Sequence, residues 1–374
     1  VVRRDATPKG LAEFLLDRTP HARHALRALW TRKKRELTHH DAFMATKGQR
    51  DWVLAHSLRQ RAYSPSTLEQ FAACPYRFYL KAIARVPPRP SPPVSEGLDP
   101  LTRGNLYHAC QATLGRRMAE LGLSTRRPAD LARIREIAGE AVREHARALE
   151  EQLDPLVQNV FDRGVEAILR DLLSDVELRA SNGDAFEPVA SELGLGVRAA
   201  ELDPRSSPEP VRIAEDYLLR GVVDRVERNE ARLLRITDYK TGASPDDTMR
   251  VVGGGRMLQP LLYALGVKQL QERGFEGDAD VSASRLYYAT ERGGFREVEV
   301  AVDRQNERTI GRALEIIDRA IGRGVLAPLP GKDECKRCDY RALCGPLAER
   351  RAAQKGAREE TAVTAELAEL RGMA

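Results

Sequence analysis

Leu234-Arg-Ile-Thr-Asp-Tyr-Lys-Thr-Gly242, read together with Arg220-Gly-Val-Val-Asp-Arg-Val226 upstream, decides how this chain folds. Both segments alternate apolar and polar residues with the period of two that a β-strand imposes. Leu234, Ile236, Asp238 and Lys240 therefore share one face of the second strand, and Val222, Asp224 and Val226 share one face of the first. The intervening Arg228-Asn-Glu-Ala-Arg232 reads as a tight hairpin turn. An odd number of loop residues puts Asp224 and Asp238 on the same face of the sheet, with Arg225, Glu227, Arg235 and Thr237 on the other. Two carboxylates and a lysine then stand at the end of a surface that otherwise faces the core. Buried carboxylates need a cation or hydrogen-bond donors. Their convergence with a lysine makes a hard-oxygen site suited to Mg²⁺ or Mn²⁺. A plain Asp–Lys ion pair at a strand end is the alternative, and the spacing leaves both open.

Around these strands, the 374 residues are enough for one or two domains with a substantial core. No apolar run reaches the length of a membrane span, and no signal peptide opens the sequence, so a cytoplasmic protein is expected. The net charge of +5 permits nucleic-acid binding without requiring it. The first residue is Val1, as expected for a fragment of a longer polypeptide. The chain lacks a Gly-x4-Gly-Lys-Ser/Thr phosphate loop, so no ATP hydrolysis is expected of it.

Residues 1–62 are basic and helix-prone, with helices expected from Ala22 to Leu37 and Gln49 to Arg61. Ser66 and Glu69 have the spacing of a capping box, which would open a short helix leading into Cys74-Pro75-Tyr76-Arg77-Phe78. Residues 87–100 are rich in Pro, Ser and Gly and read as a linker or an extended loop. A helix carrying His108 resumes near Gly104, and long amphipathic helices cover 129–180. Strands are expected at 186–198, 211–228, 232–239, 281–289 and 295–302. Helices are expected from Met257 to Glu272 and Arg304 to Gly322, and residues 347–374 read as a charged helical tail.

The five cysteines are odd in number, and no secretory signal accompanies them, which argues against a disulfide framework. Cys335-x2-Cys338-x5-Cys344 is tight enough to serve one metal centre. A fourth ligand has to come from far upstream. Four thiolates suit either Zn²⁺ or a [4Fe–4S] cluster. Cys110, on the His108 helix, reads as a small buried hydrophobe.

Taken in order, Gly104-Asn-Leu-Tyr-His108, Gly221-Val-Val-Asp224, Asp238-Tyr-Lys-Thr-Gly242 and Gln259-Pro-Leu-Leu-Tyr263, framed by Cys74 and the three late cysteines, make a specific set. It resembles the RecB/AddB-type PD-(D/E)xK nucleases of the subgroup with an iron–sulfur staple, and within them the C-terminal nuclease domain of an AddB-type helicase–nuclease subunit. The likeness covers roughly residues 60–346. It implies an α/β, restriction-endonuclease-like fold: a mixed β-sheet flanked by helices, with an iron–sulfur-stapled C-terminal segment. Residues 61–346 would be the nuclease domain, and 1–60 a connector from an N-terminal helicase-like region.

The resemblance makes His108, Asp224 and Asp238 metal ligands, with the backbone carbonyl of Tyr239 completing the shell. It makes Lys240 the catalytic lysine, and matches Gln259 and Tyr263 to the family's Gln-x3-Tyr motif. It makes Cys74, Cys335, Cys338 and Cys344 the ligands of a structural [4Fe–4S] cluster, with Pro75, Tyr76 and Phe78 around it. Pro260 departs from the usual pattern and sets Gln259 at a helix start. The implied activity is Mg²⁺- or Mn²⁺-dependent exonucleolytic cleavage of DNA, of single strands fed by a helicase motor during double-strand break repair. A stand-alone exonuclease and a non-catalytic DNA-end-binding scaffold are the competing readings. Glu192 is a candidate further acid or else a solvent-facing strand residue. Thr241 and Gly242 are candidates for a backbone contact to phosphate or else a strand-ending turn. Tyr76 and Tyr287 are candidates for base stacking or else core residues.

Overall fold

The computed structural model describes residues 9–34, 36–44, 46–88, 98–151, 158–214, 216–244, 251–356 and 364–373. The Pro-rich linker expected at 87–100 falls, for its residues 89–97, outside the described residues. In chain order the helices are α1 (Lys9–Arg18), α2 (Pro20–Arg32), α3 (Lys47–Leu54), α4 (Pro65–Ala73), α5 (Pro75–Phe78), α6 (Pro100–Leu121), α7 (Pro128–Glu150) and α8 (Gln158–Asn182), then α9 (Gln259–Gln271), α10 (Arg304–Gly322), α11 (Arg341–Cys344), α12 (Ala348–Gly356) and α13 (Ala365–Gly372). The strands are β1 (Glu187–Leu195), β2 (Val211–Ile213), β3 (Tyr217–Leu219), β4 (Gly221–Arg228), β5 (Leu233–Tyr239), β6 (Asp280–Tyr288) and β7 (Arg296–Ala301).

Packing divides the chain into two compact units. One comprises Leu58–Glu69, Pro90–Glu315 and Met373–Ala374; the other comprises Val1–Ser57, Gln70–Arg89 and Ile316–Gly372. The first holds a five-stranded sheet in the order β1-β4-β5-β6-β7. Among the described residues, β5 and β6 are the parallel pair of this sheet, and the connection between them passes through α9, as a parallel pair requires. The other pairs are antiparallel. This is the mixed sheet flanked by helices that the sequence led us to expect.

The hairpin register pairs Arg225 with Thr237 and Val226 with Ile236. Five residues separate Arg228 from its partner Leu234, the odd number that sets Asp224 and Asp238 on one face. The turn closes through Arg232 N–H to the Asn229 carbonyl, and Arg232 takes a left-handed φ of 60°. The other face of these strands is also buried. Arg225, Glu227, Arg235 and Thr237 lie under α6 and α8, with Glu227 fully inaccessible. Its carboxylate meets Arg179 of α8 at 3.0 Å, Arg235 at 2.9 Å and Arg285 at 3.1 Å, and accepts the Thr237 hydroxyl at 2.8 Å. Arg225 donates to the backbone carbonyl and Oε1 of Gln111 on α6, at 3.0 and 2.8 Å. Polar alternation on this face therefore marks a buried ion network rather than a solvated surface.

Several local expectations change. The helix read from Ala22 to Leu37 ends at Arg32. The strand read across 211–228 is a short β2–β3 hairpin followed by β4, and the hairpin forms its own two-stranded sheet. The helix read to Arg61 stops at Leu54, because the following backbone pairs with β3: Leu218 N–H donates to the Leu58 carbonyl at 2.8 Å, and Arg220 N–H to that of Tyr63 at 3.1 Å.

In the other unit, residues expected as a charged tail carry buried side chains. Lys355 of α12 is ion-paired with Asp41 at 2.7 Å, both inaccessible, and Leu367 and Leu370 of α13 are buried. Among the described residues no helix is long and apolar enough to cross a membrane.

Candidate active site

Asp224 and Asp238 stand side by side. Continuing the pairing of β4 and β5 by one residue sets Asp224 opposite Asp238. On the other side of β4, a register shift between Pro188 and Ala190 precedes the pairs Ser191–Arg225 and Leu193–Val223, which set Glu192 opposite Asp224. Glu192, Asp224 and Asp238 thus form one row across three adjacent strands. Glu192 holds a φ of 56°, a conformation unfavourable for a residue with a Cβ, and such strain gathers at functional sites.

Two groups of contacts organise this row. His108, two turns into α6, brings Nδ1 to 3.2 Å from Asp224 Oδ2, and the Tyr239 backbone N–H donates to the same oxygen at 2.7 Å. One ligand atom each from His108, Glu192 and Asp224 lie within 4.8 Å of one another, a spacing that fits a single cation. Beside them, Asp238 Oδ2 lies 2.5 Å from Lys240 Nζ, and its Oδ1 accepts from Gln259 Nε2. Gln259 Oε1 accepts from Lys240 Nζ at 2.8 Å, which closes a ring of three side chains. Gln259 is the first residue of α9 and Pro260 the second, as the proline led us to expect.

The electrostatics reflect crowded negative charge. Burial pushes Glu192 up to about 7, and the Asp224 carboxylate adds to the shift. Burial and Asp224 also raise Asp238. Asp224 goes the other way: burial opposes its charge, but His108 and the Tyr239 N–H outweigh that and hold it below the usual carboxylate range. For His108 burial favours the neutral ring, but Asp224 prevails and lifts it to about 9. Lys240 is likewise raised, by Asp238 against burial. One acid held charged while its neighbours are pushed toward neutrality is an arrangement that a bound cation would relieve.

Tyr263, one turn along α9, is buried against Gly221. A Cβ at Gly221 would lie 2.8 Å from the Tyr263 hydroxyl oxygen and 2.9 Å from its ring, so only glycine fits there. The Tyr239 side chain points away from the row, into a cluster with Tyr107, Tyr287, Ile168 and Leu172. Tyr287, a stacking candidate in the sequence, is buried in the same cluster and donates its hydroxyl to Asp175 at 2.7 Å. It has no surface to offer a base. Cys110 is fully buried, as expected of a small hydrophobe.

One acid does not do what its spacing suggests. Ser64, not Ser66, caps α4: its Oγ accepts the Thr67 N–H at 3.3 Å, with Pro65 as the first helical residue. Glu69 is thereby released from the expected capping box. Its Oε1 accepts the backbone N–H groups of Leu258 and Gln259 at 2.9 and 3.0 Å. Burial pushes its carboxyl up to about 7. Nothing local in the sequence announces a contact spanning 190 residues.

The profile of the PD-(D/E)XK nuclease superfamily matches residues 62–345. The chain belongs to the PD-(D/E)XK nuclease superfamily. The matched segment includes every residue of the acidic row, Lys240, Gln259 and all four framing cysteines. Among curated proteins, this PD-(D/E)XK chain is similar to the B-type subunit of the ATP-dependent helicase/deoxyribonuclease of Moorella thermoacetica, at 27% identity over 231 residues, covering 60% of this chain and 19% of that protein. It is similar to the protein of the same name from Carboxydothermus hydrogenoformans, at 27% identity over 241 residues, covering 62% and 20%. The chain spans about a fifth of the length of these relatives.

In the other unit, Cys74, Cys335, Cys338 and Cys344 all line one cavity, together with Tyr76, Leu80, Pro328, Pro330 and Tyr340. Burial pushes the Cys74, Cys335 and Cys344 thiols up to about 11, with neighbouring cysteines contributing in each case. The Cys335 N–H is anchored by Glu349 at 2.9 Å, and the Tyr340 hydroxyl by the Val86 carbonyl at 2.8 Å. Tyr76 stacks on Tyr79 with ring centroids 6.0 Å apart. Phe78 packs edge-on against Phe71 at 5.6 Å, and Pro75 is buried at the start of α5.

Proposed function

We propose that this chain is a divalent-metal-dependent DNA nuclease that cuts phosphodiester bonds, of single strands in particular, as the nuclease part of a helicase–nuclease that processes DNA breaks. The observation that carries the reading is the row Glu192–Asp224–Asp238 flanked by His108 and by the Lys240–Gln259 pair. The names of the similar proteins support a DNA substrate and a helicase partner.

His108, Asp224 and Asp238 would hold the ion, with Glu192 as a further oxygen donor and the Tyr239 carbonyl completing the shell. Mg²⁺ or Mn²⁺ suits such a mostly carboxylate set. When bound, the ion supplies a polarised phosphate oxygen and a more acidic water. The Tyr239 N–H fixes the rotamer of Asp224. The Lys240 ammonium would donate to an oxygen that gains charge during hydrolysis, a role that its contacts with Asp238 and Gln259 support. Gln259 keeps that amine from swinging into solvent. Tyr263, packed against Gly221, would steady the Gln259 side chain, with which its hydroxyl hydrogen-bonds. Thr241 and Gly242 follow β5 at the rim, where a backbone N–H can meet phosphate.

The four cysteines are proposed to hold a [4Fe–4S] cluster as a structural centre. Their shared, mostly apolar cavity supports this reading.

The test is cleavage of labelled single-stranded DNA by the purified protein with Mg²⁺, Mn²⁺ or EDTA, beside Asp238→Ala and Lys240→Ala. Metal-dependent cutting that both variants lose while still binding DNA is the expected result. Cutting by both variants at the wild-type rate would refute the assignment of the site.

A further inference from the structure

We propose that Glu69 is a positioning residue for the nuclease site, acting through Gln259; the inference rests on the nuclease reading above. Helix α9 starts with no cap of its own. Its N-cap is Leu258, whose side chain cannot accept a hydrogen bond, and its second residue is Pro260, which has no N–H. The cap comes instead from Glu69, in the middle of α4, whose Oε1 takes both the Leu258 and Gln259 N–H groups at 2.9 and 3.0 Å. A carboxylate at a helix N-terminus is also favoured by the helix dipole.

This anchor falls on the residue whose side chain closes the Asp238–Lys240 ring. Gln259 meets Lys240 Nζ through Oε1 and Asp238 Oδ1 through Nε2, so both ends of its amide are committed. With its backbone N–H tied to Glu69, its main chain is fixed as well. Three side-chain torsions then suffice to carry the amide to Lys240 and Asp238, with the Tyr263 hydroxyl beside it. Without Glu69, the first turn of α9 is free to fray, and the amide leaves Lys240 and Asp238 with it. An ordinary helix cap would affect stability alone, whereas a positioning residue must affect the reaction through Gln259.

The experiment measures single-turnover and steady-state cleavage of single-stranded DNA with Mn²⁺ for the wild type, Glu69→Ala, Glu69→Gln, Glu69→Asp, Gln259→Ala and the Glu69→Ala/Gln259→Ala double variant. Displacing a positioned group by about 1 Å costs up to about a hundredfold in rate. Glu69→Ala should therefore lower kcat by about tenfold to a hundredfold, with KM for DNA within about twofold. Glu69→Gln keeps an acceptor oxygen at the same reach and should restore kcat to within about threefold. Glu69→Asp, shorter by a methylene, should fall between them and serves if Glu69→Ala folds poorly. The double variant should be no slower than Gln259→Ala alone. Wild-type kcat in Glu69→Ala, or losses that multiply in full in the double variant, would overturn the proposal. A wild type that does not cut would sink the nuclease reading alone. The side-chain amide ¹H–¹⁵N signals of Gln259 then decide the positioning, moving in Glu69→Ala and not in Glu69→Gln if it holds, and staying put in both if it does not.

Discussion

Glu227→Gln removes one charge and almost no volume from the ion network behind β4 and β5. In the wild type, three guanidiniums lie within 3.1 Å of the Glu227 oxygens, and Arg225 adds to their field. The substitution leaves partial compensation. Asp184 still faces Arg179 at 3.5 Å and Arg235 at 2.7 Å, and Glu297 still faces Arg285 at 2.6 Å. Taking one partner out of a buried ion pair costs about 3–5 kcal/mol, and with two carboxylates remaining the lower end, about 3 kcal/mol, is expected. At about 2–4 °C per kcal/mol for a domain of this size, that is a fall in Tm on the order of 6–12 °C.

The pH dependence has a definite sign. Burial would raise the Glu227 carboxyl, but Arg235, Arg285, Arg179 and Arg225 overcome it and hold the group well below its ordinary value of 4.5. A depressed carboxylate contributes its full stability above its unfolded value and loses it as pH falls through its folded value. The gap between wild type and variant should therefore be constant from neutral pH down to about 4.5, and close only in stronger acid. Thermal unfolding by circular dichroism in EDTA, at pH 7 and at steps down to about pH 3, measures both effects. A gap under about 1 kcal/mol at pH 7, or one unchanged by acid, would refute the view that this network is held by charge.

Other perturbations test the remaining parts. Gly221→Ala drives a methyl group into Tyr263, so a loss of about 1–3 kcal/mol in stability is expected together with slower cleavage; unchanged Tm and kcat would show that the contact is slack. Cys338→Ala should lower iron and sulfide content and Tm together, and full iron with unaltered Tm would remove the cysteines from any structural centre. Asp224→Asn should weaken Mn²⁺ binding by calorimetry well beyond the effect of a surface Asp→Asn control, and equal affinities would take Asp224 out of the ligand set.

The parity of β4 and β5 was legible in the residues alone, and with it the pairing of Asp224 with Asp238 and the place of Lys240. Strand alternation is a local property, and an odd hairpin needs no distant information. Legible too was the start of a helix at Gln259, because the ring of Pro260 has its own backbone demands.

The remaining features depend on long-range packing. Glu192 joins the row because β1 shifts register before it reaches Asp224, and a one-residue slip decides which face a side chain takes. The alternating charges of β4 and β5 could have faced water equally well; helices α6 and α8, brought from elsewhere in the chain, turned them into a buried network. Glu69 had the spacing of a local capping box, yet its carboxylate is satisfied by the start of a helix 190 residues away. Local rules name the donors and acceptors a residue could use, but which one it meets depends on where packing brings the backbone.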